Sequence, residues 1–318
     1  MFGFYSNKPG RGVPKRNPDQ PRTSLFFELL GRKWWDLCKV NLMYILLAIP
    51  AFLVTILAVG IIAGRLTMSM APFLASTMGL DSVDMSNDQL ATSIVGFDLS
   101  IRIIIAGLFS VFLGLGPVTA GVTYILRNFG REEHVWMWSD TLRNMKSNFK
   151  QSVLTWIMDV VAVSVVVIAF EFYGKQEGTW GTLGTYLILF VSLLYLMMHI
   201  YVYQMMITFE LPFRYVLKNS LIMAVATAPK TLLMLIILAV VHIGIPLLIL
   251  TISGMGIPMY IFVLLELIFL PAASMFTTNF FIYDTIEPYI KQALKQAEDN
   301  DNKGLDEDTE DISENSEQ

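Results

Sequence analysis

Apolar residues along this chain come in long, nearly unbroken runs. They do not alternate as in a half-buried strand, nor do they form the narrow stripe of a soluble helix. Six runs stand out, at about 40–64, 102–126, 151–173, 183–207, 231–251 and 259–281. Each is near the ~20 residues that carry an α-helix across hydrocarbon. The pattern predicts an all-α, polytopic membrane protein with six transmembrane helices paired as three hairpins. Pro50 and Pro271 fall inside runs and predict kinks.

The polar stretches between the runs carry their own periodicity. In 25–38, Phe26, Leu29, Leu30, Trp34 and Leu37 recur at spacings of three and four, with Arg32, Lys33 and Asp36 between them. That predicts an amphipathic interfacial helix ahead of the first span, with Trp34 and Trp35 in the headgroup layer. Phe213, Leu217, Leu221 and Ala224 have helical spacing too, and predict a second helix lying on the membrane surface. Residues 65–100 read as the longest loop, with Asp81, Asp84, Asp88 and Asp98, and with a capping box at Ser86-Asn87-Asp88-Gln89. Residues 1–24 predict a flexible basic segment, 25–297 the membrane domain, with a helix continuing past Pro288, and 298–318 a disordered acidic tail. Lys39, Lys150 and Lys230 each stand at the entrance of a span after a polar stretch, which suggests three units of surface helix plus hairpin. An ordinary lysine at each cytoplasmic entrance is the competing explanation.

Charge adds direction. Of the 22 Lys and Arg residues, all but Arg65, Arg102 and Lys175 fall in the two terminal regions, 127–150 and 208–230. The positive-inside rule then places those segments, and both termini, in the cytoplasm of a bacterial plasma membrane. The formal net charge of −5 comes from the tail, and the body is mildly basic. With 54% hydrophobic and 15% charged residues, the basic side chains flank spans and form no nucleic-acid patch. One cysteine, Cys38, excludes an internal disulfide and a cysteine metal cluster. No phosphate-cradling loop, zinc-binding histidine pair, dinucleotide fingerprint or nucleophile elbow is present, so the chain reads as non-enzymatic and without a cofactor.

The second span is interrupted by small residues. Gly116, Pro117, Ala120 and Gly121 are candidates for close helix packing, because small side chains let backbones approach where burial from water supplies no drive. Downstream, Trp136 and Trp138 read as interfacial anchors or as a sugar-stacking pair. Asp140 reads as a cap for a short helix, or with the tryptophans as a docking surface for a partner.

The Gly116-Pro117-x-Thr119-Ala120-Gly121 block, Arg127-Asn128, Trp136, Asp140 and Asn148-Phe149-Lys150 together resemble the YesL-like family of bacterial integral membrane proteins. Met1-Phe2-Gly3-Phe4, Phe26-Phe27-Glu28 and Trp34-Trp35 resemble it as well. The likeness covers about the first half of the chain, and the acidic tail is outside it. The family's molecular role is unknown. Its setting beside sugar-uptake and glycan-degrading proteins implies an accessory or regulatory partner of a carbohydrate transporter permease.

Four ionisable residues lie inside the later spans. Asp159 and His199 are equally distant from a turn near Thr179, and His242 and Glu266 are equally distant from Gly254. Each pair should share a depth. Charged groups in hydrocarbon are costly and often functional, so the reading is an Asp159–His199 contact and a His242–Glu266 contact. The competing reading has each facing a different helix and finding a hydroxyl or carbonyl there. Two functions stay open: a membrane accessory of a sugar transporter, or a transporter or channel for a small solute. A dry interior with an exposed small-residue face favours the first. An aqueous path connecting the ionisable residues to one face favours the second.

Overall fold

The computed structural model describes residues 20–77, 99, 102–254 and 256–288, with side chains described only to 58 in the first stretch. The expected loop acids and capping box, the N-terminal segment before Gln20, the acidic tail and the helix beyond Pro288 lie outside the described residues. Among the described residues all regular structure is helical. Four helices are long and apolar enough to cross a membrane, or six if each of two bent pairs is one span. The protein is thus a multi-pass membrane protein.

The first helix, α1 (Arg22–Thr77), corrects two expectations. The interfacial helix and the first span are one continuous rod, and Pro50 does not break it. The same rod continues past residue 64 into the stretch read as loop. Its apolar row is extended rather than interrupted, because Leu25, Phe26, Leu29, Leu37, Val40, Met43 and Tyr44 bury on one line toward the core. Trp34 and Trp35 stay half or more exposed, and Trp34 packs its ring against Phe269.

The second run is split. α2 (Arg102–Phe112) and α3 (Pro117–Gly130) meet at 46° across residues 113–116. Two glycines make the corner, Gly114 at φ +83° and Gly116 at φ +60°, where a side chain would be strained. Pro117 then opens α3 at a position that needs no N–H donor. α3 is the hub of the bundle: ten of its residues are buried, and it packs against α1 and three helices that follow it.

Those are α4 (Met137–Ser147), α5 (Phe149–Gly174) and α6 (Thr179–Thr208). α5 and α6 form a hairpin turning at Gly178. The short α7 (Phe213–Ala226) packs on α6. It buries Val216, Ser220, Met223 and Ala224; of the expected apolar row, Ala224 is buried, Leu217 packs on the core and Leu221 is exposed. α8 (Ala228–Ser253) contains a widened turn at Val240–Gly244. Pro246 offers no N–H to the carbonyl of His242, and Ile245 N–H bonds back five residues to Val240 O. α9 (Ile257–Ile268) and α10 (Leu270–Pro288) form the second bent pair, at 57°. The sequence of short polar helix then long apolar helix occurs twice, as α4–α5 and α7–α8. The first unit of the anticipated repeat differs, since its surface helix is fused to its span.

α10 closes the bundle against α1. Arg22 donates to Phe280 O at 2.8 Å and pairs with Asp284, and Lys230 of α8 reaches Thr285 at 3.1 Å.

Candidate functional site

The small residues of the second run each meet a different neighbour. A side chain at Gly116 would come within 3.2 Å of Ser152 O and 3.3 Å of Trp156 Cβ, so α5 seats directly on the corner. At Gly121 it would meet Thr141 O at 2.7 Å, which places α4 against that face. Ala120 is fully buried in the cluster built by α6 and α10. The small-residue face is therefore consumed within the molecule.

The aromatic segment divides. Trp136 and Trp138 are 69% and 52% exposed. Asp140, two residues after Trp138, is buried and turned inward. It accepts the Trp136 backbone N–H at 2.8 Å and pairs with Arg143 at 2.7 Å, which closes the first turn of α4. It does not share a surface with the tryptophans. Glu132 and Glu133, adjacent in sequence, are tied to separate arginines, Arg32 and Arg131.

Both ionisable pairs inside the spans are in contact. Asp159 of α5 is wholly buried, with Oδ2 3.0 Å from His199 Nε2 and Oδ1 accepting the Tyr195 hydroxyl at 2.5 Å. Tyr195, His199 and Tyr203 lie one turn apart on α6, and the Tyr203 ring meets the imidazole edge-on at 5.5 Å. His242 of α8 places Nδ1 2.8 Å from Glu266 Oε1 and Nε2 2.8 Å from Ser274 Oγ. Matched distance from a hairpin turn supplied both pairs. It gave no hint of Tyr195 or Ser274.

Asn41 was also missed. It is fully buried on α1 and sits across the α9–α10 break. Its Nδ2 donates to Leu267 O at 2.9 Å, and its Oδ1 accepts Ala272 N–H at 3.0 Å. Pro271 has no N–H for Leu267 O, so one amide side chain supplies the missing donor and satisfies the next stranded N–H. The available signal was a lone Asn within the apolar run that follows Val40.

The α2–α3 break is braced by hydroxyls in place of an amide, with Tyr44 of α1 donating to Ser110 O at 3.4 Å, and it leaves space open. It lines a cavity of about 70 Å³ between α2, α3, α6, α8 and α10. Leu113 and Gly114 of the corner form one wall, with Thr119 and Thr123 of α3 beside them. His199, Tyr203 and Gln204 of α6 face these, and Asn279 of α10 completes the polar lining. Thr119 braces the corner by accepting Leu115 N–H at 2.6 Å. Gln204 is 2% exposed, and neither its amide nitrogen nor its oxygen has a partner. Tyr203 faces the backbone of Gly116, yet its hydroxyl makes no hydrogen bond of ordinary geometry. Buried polar groups nearly always have partners, so unspent donors and acceptors beside a cavity mark a place that holds water or a small polar species. Among the described residues no cluster of three or more His, Cys, Asp or Glu is placed to hold a metal ion.

Compared with protein-family models, curated proteins and solved structures, the chain matches none. The YesL-like resemblance rests on the residues that carry it.

Proposed function

We propose that this multi-pass membrane protein serves a small polar solute or ion within the bilayer, as a transporter or channel. The observation that carries the reading is the cavity at the α2–α3 break, whose mainly apolar wall holds His199, Tyr203 and an unpartnered Gln204. Broken helices that line polar space at membrane depth are the usual means by which a bundle holds a solute away from lipid. A cavity of about 70 Å³ has room for a few waters or a monovalent ion. It falls far below the roughly 300 Å³ at which pockets for organic ligands begin. The test is flux through vesicles carrying the full chain, with Na⁺, K⁺ and NH₄⁺ as probes. Movement of one of them above empty vesicles, reduced by Gly114→Leu, is the expected result. Folded protein that moves none of them removes the reading.

A second reading, the accessory partner of a carbohydrate transporter, keeps one supporting observation. The exposed Trp136 and Trp138 project from α4 with no intramolecular role beyond the edge contact of Trp136 with His134. Affinity purification from native membranes tests this: recovery of a permease with the wild type, and its loss with Trp136→Ala/Trp138→Ala, supports it. The orientation that goes with either reading puts both termini in the cytoplasm of a bacterial plasma membrane. Cysteine labelling of intact cells at Ser86 but not Ser316 is the result expected of it.

A further inference from the structure

We propose that the buried Asp159–His199 pair is a proton-binding site served by water in the adjoining cavity. His199 is the group that takes up and releases the proton. The inference rests on reading the cavity as a compartment for a polar species, and it names the proton as the species exchanged at its wall.

The argument begins with the hydrogen bonds. Each oxygen of Asp159 has a donor, the Tyr195 hydroxyl at 2.5 Å and His199 Nε2 at 3.0 Å. Both bonds are satisfied with an ionised carboxylate and a neutral ring that carries its hydrogen on Nε2. In that form the pair bears one net negative charge. The ion pairs of the described residues give Asp159 no lysine or arginine. The groups facing the pair are neutral or weakly acidic: Tyr195 and Tyr203 of α6 flank the imidazole, and across the cavity His199 faces Thr119 and Thr123 of α3 and Asn279 of α10, with Tyr44 of α1 bonded to Thr119. A net negative charge without a partner is costly in an apolar bundle.

One added proton removes that charge without disturbing either bond. Nε2 is committed to the carboxylate, which leaves Nδ1 for exchange. A hydronium in the cavity gives its proton to the Nδ1 lone pair. The products are water and an imidazolium paired with the carboxylate, with net charge zero. The reverse step returns the proton to water. His199 lines the cavity and Asp159 does not, so the ring is the member of the pair with access to water. The other pair is built differently: His242 has a protein group on both nitrogens, Glu266 on Nδ1 and Ser274 on Nε2.

The test uses the full chain in lipid nanodiscs with ¹⁵N-labelled imidazoles. The chain has three histidines, and His199→Gln assigns the signal. Should that variant fail to fold, His134→Gln and the shift caused by Ser274→Ala assign the other two and leave His199 as the third. His199 is expected to pass from one protonated nitrogen to two as the pH is lowered. In Asp159→Asn the ring is expected to stay neutral through the same titration, because the carboxylate charge that stabilises the imidazolium is gone. A ring that keeps one protonation state throughout overturns the proposal. So does a titration unchanged by Asp159→Asn. A titrating His199 in a protein that moves no ion leaves the proton site standing and removes the transport reading. Ion flux through a protein whose His199 does not titrate does the reverse.

Discussion

The two helix breaks solve one problem in opposite ways. Each lies beside a histidine–carboxylate pair, and each strands backbone groups that water cannot reach. At the α9–α10 break, Asn41 spends its amide on Leu267 O and Ala272 N–H, and His242 has both nitrogens engaged. At the α2–α3 break the corner is made by glycines, the amide of Gln204 is unspent, and a cavity remains. Two fully or nearly buried amides therefore do different things. One closes a break, and the other stands beside an open one. The contrast separates a joint that supports the bundle from a joint that can accept something.

The largest expected effect tests the closed joint. Asn41→Leu leaves one carbonyl and one N–H without partners in a low-dielectric setting, at about 1–3 kcal/mol for each. The folded fraction in detergent, followed by size exclusion and thermal unfolding, should drop sharply. Wild-type stability would mean that the amide is not the plug described. Next comes the open joint's own scaffold. Gly116→Ala puts a Cβ at φ +60° and within 3.2 Å of Ser152 O. A non-glycine residue held there costs about 1–3 kcal/mol, and the thermal midpoint should fall accordingly. A midpoint equal to wild type would show that the corner relaxes. Smaller again is Ser274→Ala, which removes the partner of His242 Nε2 and should cost about 1 kcal/mol by the same melting assay. The last is Gln204→Leu, for which no loss of stability is expected, since the amide it removes has no bond to lose. A loss as large as that of Asn41→Leu would erase the distinction between the two joints.

How much of this was legible follows the same division. Apolar run length pointed to helices long enough to cross, four of them or six if each bent pair is one span, because crossing hydrocarbon as a helix needs a fixed length. Counting residues from Thr179 and Gly254 brought Asp159 to His199 and His242 to Glu266, since rise per residue is constant in both arms of a hairpin. Rotation about the helix axis is not constant, so Tyr195, Ser274 and Gln204 were invisible. Pro50 shows the limit of a local rule. The helix is unbroken at Pro50, whereas the chain bends by 57° beside Pro271 and by 46° at residues 113–116. Gly114 and Gly116, with positive φ, mark the first true corner. The widened turn at His242 was within reach through Pro246, which went unweighed.

The joining of α1 to α10 has a consequence for biosynthesis. Asn41 waits for Ala272, 231 residues later, and Arg22 waits for Phe280, 258 residues later. The first helix leaves the ribosome with a buried-type amide and a guanidinium whose partners have not been translated. It must therefore be held by the insertion machinery, by lipid headgroups or by water until the last helix arrives. Assembly ends with α1 and α10 clasping each other, and a nascent protein cut short before α10 carries an unsatisfied first helix. That exposed polar seam is a physical mark by which membrane quality control can tell an unfinished copy from a complete one.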